Sequence, residues 1–415
     1  MPSAALRTIA VDVTPVLPGG DNGGAKRFAL ELLRHLAARS PQTQFVLLTQ
    51  AASHAELASL DGANLRRVAA VGEGTSGFAH DAFRLASRAM APLPHALRSA
   101  VAKGGYRLHS RLKRRGAAGA LHALEVDLLF CPFTAPTFEW AGVPVVSTIY
   151  DLQFRAYPRF FTVEDATLRE RAFTQACERA TALAAISEFS RQAAICAGGL
   201  DSERITTIPL RMARKATSGD ARGGIVDRLG LLASRYLLYP ANFWLHKNHE
   251  RLLQAFALAR DSGLPKDIVL VCTGAPGKRR EELTGMAREL ALEKNAIFPG
   301  FLAEDELWNL LANARGLIFP SLYEGFGLPV ADAMASGIPV ACSNVAALPE
   351  VAGDAALLFD PLGLEEISRA ILALVSDPEL RDRLAAAGRH RAVEFMDTPR
   401  MVEDYWRLFE RAVGR

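Results

Sequence analysis

The chain has 415 residues, 50% of them hydrophobic and 22% charged, with 48 Lys plus Arg against 45 Asp plus Glu. At roughly 100 to 200 residues per domain, that length predicts two domains, excludes a single small module and allows each half its own core. The net charge of +3 excludes a globally basic nucleic-acid binder, and the ordinary contents of Gly (32) and Pro (22) exclude a disordered or fibrous chain.

Arg7 and Asp12 interrupt the N-terminal stretch before any apolar run reaches signal-peptide length, and no later stretch approaches about 18 uncharged apolar residues. A cytoplasmic protein is expected, without a membrane-spanning segment. Ile9 to Val13 reads as a short buried strand, Pro15 to Gly24 as a Gly-rich loop and Ala25 to Ala38 as a helix with apolar spacing at Phe28, Leu32, Leu33 and Leu36. Strands are predicted at Phe45–Leu48, Val126–Phe130 and Val143–Ile149, and helices near 164–180 and 187–197. The strands are continuous rather than alternating in apolar character, which predicts a parallel sheet covered on both faces.

Between Ala82 and Leu124 no acidic residue occurs, while Arg84, Arg88, Arg98, Lys103, Arg107, Arg111, Lys113, Arg114 and Arg115 are interleaved with apolar residues. This stretch, 84–115, suits either a peripheral dock on anionic lipid headgroups or a solvated helical face. Residues 209–235 are polar and Gly-containing and are read as an interdomain linker. A second α/β series follows, with strands at 236–239, 268–273, 296–298, 315–319, 338–342 and 356–359 and helices at 248–260, 278–291, 304–313 and 329–336. The domains are therefore 1–208 and 236–395, with a last helix in 396–415 that can dock on either one and so can cross back to the N-terminal domain. Cys131, Cys177, Cys196, Cys272 and Cys342 are widely spaced without a C-x-x-C pair, so neither a disulfide framework nor a zinc site is expected.

The densest constellation is Pro320-Ser321-Leu322-Tyr323-Glu324-Gly325-Phe326-Gly327-Leu328-Pro329-Val330-Ala331-Asp332, between two predicted strands. Pro329 fits the first helical turn, which leaves the amides of Gly327 and Leu328 as unpaired donors at a positive helix end, an anion site. Glu324 and Asp332 flank that site, and carboxylates are good acceptors for sugar hydroxyls. The pattern suits a diphosphate with a hydroxylated group at each end, as in a nucleotide sugar.

This segment resembles the E-x7-E signature of family 4 retaining glycosyltransferases, and the resemblance spans nearly the whole chain. Tyr239 to Glu250, Thr273-Gly274, Phe298-Pro299-Gly300-Phe301, Leu348-Pro349-Glu350 and Leu358-Phe359-Asp360 fall in the family's order. In the first half Gly23-Gly24, Thr148 to Gln153 and Ile186 to Arg191 are similar to its acceptor-side elements. The resemblance implies the α/β GT-B fold, two Rossmann-like doubly wound domains facing a cleft. It implies that Lys247 binds the donor diphosphate, Glu324 orients the transferred sugar, Phe326 to Leu328 cradle a phosphate and Asp332 holds the ribose. It further implies that Gly23 and Gly24 face the donor phosphates and that Gly274 and Phe301 belong to the donor side. Three positions depart from the family pattern: Asp332 replaces a glutamate, His246 an arginine and Tyr150 a histidine. His246 is expected to help Lys247, and Tyr150 to meet the transferred sugar.

Asp12 and Asp151, each just after a strand, are candidates for acceptor hydroxyls at the carboxyl edge of the sheet. No D-x-D triplet occurs, so no metal and no cofactor is expected; the nucleotide sugar is a substrate. The expected reaction is retaining transfer of a hexose, mannose favoured, from a nucleotide-diphosphate sugar to a glycan or lipid-linked acceptor in surface polysaccharide biosynthesis. A nucleotide-sugar epimerase of related fold and a non-catalytic nucleotide-sugar-binding homologue are the alternatives. A dehydrogenase is disfavoured because no G-x-G-x-x-G follows a strand.

Overall fold

The computed structural model describes residues 6–18, 23–71, 125–138, 141–216, 224–275 and 277–414. The basic stretch 84–115 lies outside the described residues. The first half contains β1 (Thr8–Asp12), α1 (Gly23–Arg39), β2 (Gln44–Gln50), β3 (Leu65–Val71), β4 (Leu128–Cys131), β5 (Val145–Ile149), α2 (Val163–Arg179), β6 (Ala182–Ala185), α3 (Glu188–Gly198) and β7 (Ile205–Thr207). The second contains β8 (Tyr236–Pro240), α4 (His249–Asp261), β9 (Val269–Thr273), α5 (Lys278–Glu289), β10 (Ala296–Gly300), α6 (Glu304–Asn313), β11 (Gly316–Phe319), α7 (Leu328–Ala335), β12 (Val340–Ser343), β13 (Ala356–Phe359), α8 (Leu364–Ser376), α9 (Pro378–Ala392) and α10 (Thr398–Ala412).

Among the described residues the strands form two parallel sheets, in the orders β3-β2-β1-β4-β5-β6-β7 and β10-β9-β8-β11-β12-β13. Both are doubly wound, and the strand order reverses between β1 and β4 in one and between β8 and β11 in the other. Ligands of open α/β sheets bind beyond the carboxyl ends of strands at such switch points. The loops after β8 and β11 are thereby marked out in the second half, and those after β1 and β4 in the first.

One apolar cluster unites α1, α10, one face of the first sheet and the core of the second half, while the other face of the first sheet has its own cluster around Val46, Leu129, Ile149 and Phe173. Helix α10 starts at Pro399 in its first turn, with the Asp397 carboxylate accepting the Arg400 N–H at 3.0 Å. Its Tyr405 and Phe409 rings lie 5.7 and 5.0 Å from Phe130 on β4, and Tyr405 lies 6.2 Å from Phe28 on α1. The last helix therefore covers the first sheet, having left the second half.

The two crossings between the halves run side by side. The Ala213 N–H donates to the Phe395 carbonyl at 2.9 Å, Thr398 Oγ1 to the Arg211 carbonyl at 2.7 Å, and the Arg211 guanidinium to the Glu394 carbonyl at 2.6 Å. Of the polar linker expected at 209–235, residues 217–223 lie outside the described residues, and Ile225–Arg228 forms a single helical turn.

Candidate functional site

The loop after β8 ends in a helical turn at Leu245–Lys247 and a left-handed Asn248 (φ 60°) before α4 begins. It is tied to the loop after β11 at several points. The Leu322 N–H donates to the His246 carbonyl at 2.7 Å, the Tyr239 hydroxyl to the Lys247 carbonyl at 2.6 Å, and the Asn248 amide to the Pro320 carbonyl at 3.1 Å. These bonds bring the Lys247 ammonium to 2.5 Å from a Glu324 carboxylate oxygen, with each side chain only 13% exposed. A close ion pair this dry makes the ammonium a fixed, weakly screened positive charge facing the cleft.

Gly327 precedes α7 with φ +107°, a conformation that glycine adopts at little cost, and a Cβ there would also fall 2.6 Å from the Leu348 side chain. Pro329 follows in the first turn. The amides of Phe326, Gly327 and Leu328 make no hydrogen bond to another described group, so the helix end presents free donors beside the ion pair.

Asp332, expected at a ribose, lies on α7 and is 7% exposed. One carboxylate oxygen accepts the Arg214 backbone N–H at 2.9 Å; the other is 3.8 Å from the Arg27 guanidinium on α1 of the first half. Burial lifts its pKa to about 6 against the pull of Arg27 and Arg214. Arg214 in turn pairs with Glu31 on α1 and with Glu304 on α6, the latter at 2.6 Å. Asp332 is thus one member of a charge cluster spanning both halves.

His246 is neutral near pH 7: burial first, then the charges of Lys247 and Arg169, push its pKa down to about 3. Gly23 opens α1 with φ +52°, and a Cβ there would lie 3.7 Å from the Trp244 ring, so the glycine loop of the first half meets the loop after β8 in the second. Gly24 faces open space. Gly274 sits so close to the loop after β8 that a Cβ would lie 2.6 Å from the Ala241 carbonyl oxygen. Phe301, just past β10, is 71% exposed.

The first-half candidates are used differently. Asp12 is buried: one of its oxygens accepts from the Thr14 N–H and hydroxyl at 3.1 and 2.6 Å, the other from the Thr137 N–H at 2.6 Å. Both oxygens serve to join the loops after β1 and β4. Asp151 accepts the Gln153 N–H at 3.0 Å; burial raises its pKa, and it feels the charges of Arg169, Glu324 and Lys247. It therefore shares the electrostatic neighbourhood of the ion pair. The Tyr150 ring packs edge-on to Phe28 at 5.9 Å, and its hydroxyl is closed off from solvent with no hydrogen-bond partner among the described residues. That hydroxyl is not presented to the cleft as expected from the histidine it replaces. Tyr150 contributes its backbone instead, against which Gly325 is laid.

Sequence reasoning missed Arg27, Arg214 and Arg169. Arg169 is an exposed guanidinium on α2 that lies 5.0 Å over the Phe161 ring and is near enough to bias Asp151 and His246. Its position in a run of mixed helical charges carried no signal; only the packing of α2 beside the cleft reveals it. Among the described residues no group of three His, Cys, Asp or Glu side chains is placed to hold a metal ion, and no helix is long and apolar enough to cross a membrane.

The sequence pattern of "Glycosyl transferases group 1" matches residues 231–391, the half that holds the ion pair. O-antigen chain mannosyltransferase B of Escherichia coli is 30% identical over 256 residues, covering 60% of this chain and 66% of that protein. MMP alpha-(1->4)-mannosyltransferase of Mycolicibacterium hassiacum is 39% identical over 117 residues, 28% of each chain. The matched part thus spans just under two thirds of one relative and under a third of the other. Among solved structures, Anabaena HepE in complex with UDP-glucose superposes with a TM-score of 0.70 at 17% identity, covering 96% of this chain and 98% of that one, a likeness of fold.

Proposed function

Because the chain belongs to the group 1 glycosyl transferases and has the GT-B fold, we propose that it transfers a hexose, mannose favoured, from a nucleotide-diphosphate sugar to a glycan or lipid-linked acceptor in surface polysaccharide synthesis. The observation that carries this reading is the Lys247–Glu324 pair, held at 2.5 Å beyond the switch point of the second sheet and beside the free amides that open α7. Two relatives named as mannosyltransferases support the choice of sugar.

A diphosphate entering this space competes with Glu324 for the ammonium and adds the helix-end amides as donors. Glu324, released from Lys247, accepts from a hydroxyl of the transferred sugar. As the bond from the anomeric carbon to the leaving phosphate oxygen breaks, Lys247 and the amides stabilise the charge that grows there. The acceptor oxygen bonds to the anomeric carbon on the same face, and its proton passes to the leaving oxygen. The configuration is retained, and no protein nucleophile is required. Neutral His246 supplies a hydrogen-bonding group rather than a second charge, so the donor side relies on Lys247.

No metal takes part in this reading, and EDTA is expected to leave turnover unchanged. The 84–115 stretch is proposed as a membrane-surface dock, so charge reversal at Arg111, Lys113, Arg114 and Arg115 should weaken binding to anionic vesicles. The central test is a screen of GDP-, UDP- and dTDP-sugars for transfer, with Lys247→Ala and Glu324→Ala as controls. Each substitution should lower turnover by about 100-fold or more. Full activity in both variants would refute the site, and interconversion of sugars without nucleotide release would favour an epimerase. Nucleotide binding without transfer or donor hydrolysis across the panel would favour a non-catalytic homologue.

A further inference from the structure

Away from the ion pair, a compact set of polar contacts joins the two halves at the N-terminus of α3. Ser187 caps that helix, accepting the Ser190 N–H at 3.0 Å, and its hydroxyl lies 2.7 Å from the carbonyl oxygen of Gly325 in the donor loop. The Ser190 hydroxyl lies 2.7 Å from the Tyr150 carbonyl oxygen and 3.3 Å from that of Gly325. Both serines are fully buried, so truncating them would leave the Gly325 and Tyr150 carbonyls without these hydroxyl donors. From the second half, Glu350 places one carboxylate oxygen 2.8 Å from the Glu188 N–H and the other 3.0 Å from the Phe189 N–H, at the positive end of α3. The two backbones are in direct contact: a Cβ on Gly325 would lie 2.3 Å from the Tyr150 carbonyl oxygen.

The residues so joined have meaningful neighbours. Gly325 follows Glu324, and Tyr150 precedes Asp151. We infer that Ser187, Ser190 and Glu350 are positioning residues that set the register between the Glu324 loop and the strand end carrying Asp151, without touching either substrate. The catalytic consequence rests on the proposed glycosyl transfer: a shift of about 1 Å between reacting groups can cost about 100-fold in rate. Donor affinity depends on Lys247 and the α7 amides, which these contacts leave in place, so the loss should fall on kcat.

Two measurements on the full chain test this in the Ser187→Ala/Ser190→Ala double variant and in Glu350→Gln, which keeps shape and one acceptor oxygen. Hydrogen–deuterium exchange without substrate should show the Ala347 amide, which donates to the Glu324 carbonyl at 3.3 Å, opening about 10-fold faster in the double variant, and those of Glu188 and Phe189 opening faster in Glu350→Gln, with β11 and β12 unchanged. Transfer kinetics should show kcat down about 10- to 100-fold with donor KM within about 3-fold. Unchanged exchange in both variants would overturn the inference whatever the activity. Faster exchange with unaltered kcat would show that the contacts do not serve catalysis and would also overturn it. If the wild-type chain transfers no sugar, the proposed function fails, while the exchange data still decide whether the contacts hold the loop.

Discussion

Asp332 carries two demands on one carboxylate. It accepts the Arg214 N–H at 2.9 Å and faces Arg27 at 3.8 Å, yet burial lifts its pKa to about 6 from the ordinary 3.8. A carboxyl with a raised folded pKa keeps a proton that the unfolded chain has lost, so its stabilising contribution is full at low pH and is lost as pH rises through about 4 to 6. Asp332→Asn cannot ionise and should lack that slope. Urea unfolding should show the variant gaining on wild type by about 2 to 3 kcal/mol between about pH 4 and 6.5, and a pH-independent difference would contradict the assignment. Tyr150 gives the opposite kind of prediction. Its hydroxyl is buried and has no partner among the described residues, so Tyr150→Phe should leave transfer within about 3-fold and leave stability unchanged or raised by up to about 1 kcal/mol, measured by turnover and thermal unfolding. Lys247, Glu324 and the α7 helix end were legible because one loop supplies glycines, a carboxylate and a helix-starting proline together. Arg27 and Arg169 were not, because their relation to the cleft exists only once α1 and α2 have packed beside it.

Strands with strong composition were the readable elements. Tyr236–Pro240 and Val269–Thr273 are rich in β-branched and aromatic residues, and the predicted bounds fall within a residue of the observed ones. The strands at Leu65–Val71, Ala182–Ala185 and Ile205–Thr207 were not assigned. The first is a half-exposed edge strand with two arginines; the second is Ala-Leu-Ala-Ala, whose composition favours helix; the third has only three residues. Pairing with neighbouring strands, rather than local preference, makes them strands. The close approach of Gly274, just past β9, to the loop after β8 gives a sharp test at this scale. With a Cβ only 2.6 Å from the Ala241 carbonyl, Gly274→Ala must displace backbone, and it should cost about 1 to 3 kcal/mol by denaturant unfolding while weakening nucleotide binding by calorimetry. Wild-type affinity and stability would show that the loop after β8 yields freely.

At the scale of the whole molecule, the two halves share one continuous apolar cluster, and α10, reached from the second half, packs on the first sheet and α1. Its Tyr405 and Phe409 are fully buried against Phe130, and it is further tied to the first half by Glu403 to Arg39 at 2.8 Å and by Arg411, near its C-terminus, to Thr206 at 2.7 Å. Phe409→Ala should therefore cost about 3 to 5 kcal/mol, read as a lowered midpoint in urea, even though the residue lies far from the ion pair. A loss below about 1 kcal/mol would mean that α10 is not part of the first half's core. The amphipathic spacing of Met401, Tyr405, Leu408 and Phe409 was visible in the sequence, but the surface that receives it was not, since either half offers an apolar face to a passing helix.

That return of α10 also bears on how the chain is made. A ribosome delivers β1 to β7 first, then the entire second half, and only then Thr398–Ala412. At roughly 5 to 20 residues per second, the nascent first sheet waits on the order of ten seconds or more with Phe28 and Phe130 uncovered. The N-terminal half therefore receives its last layer only after the second half has already emerged.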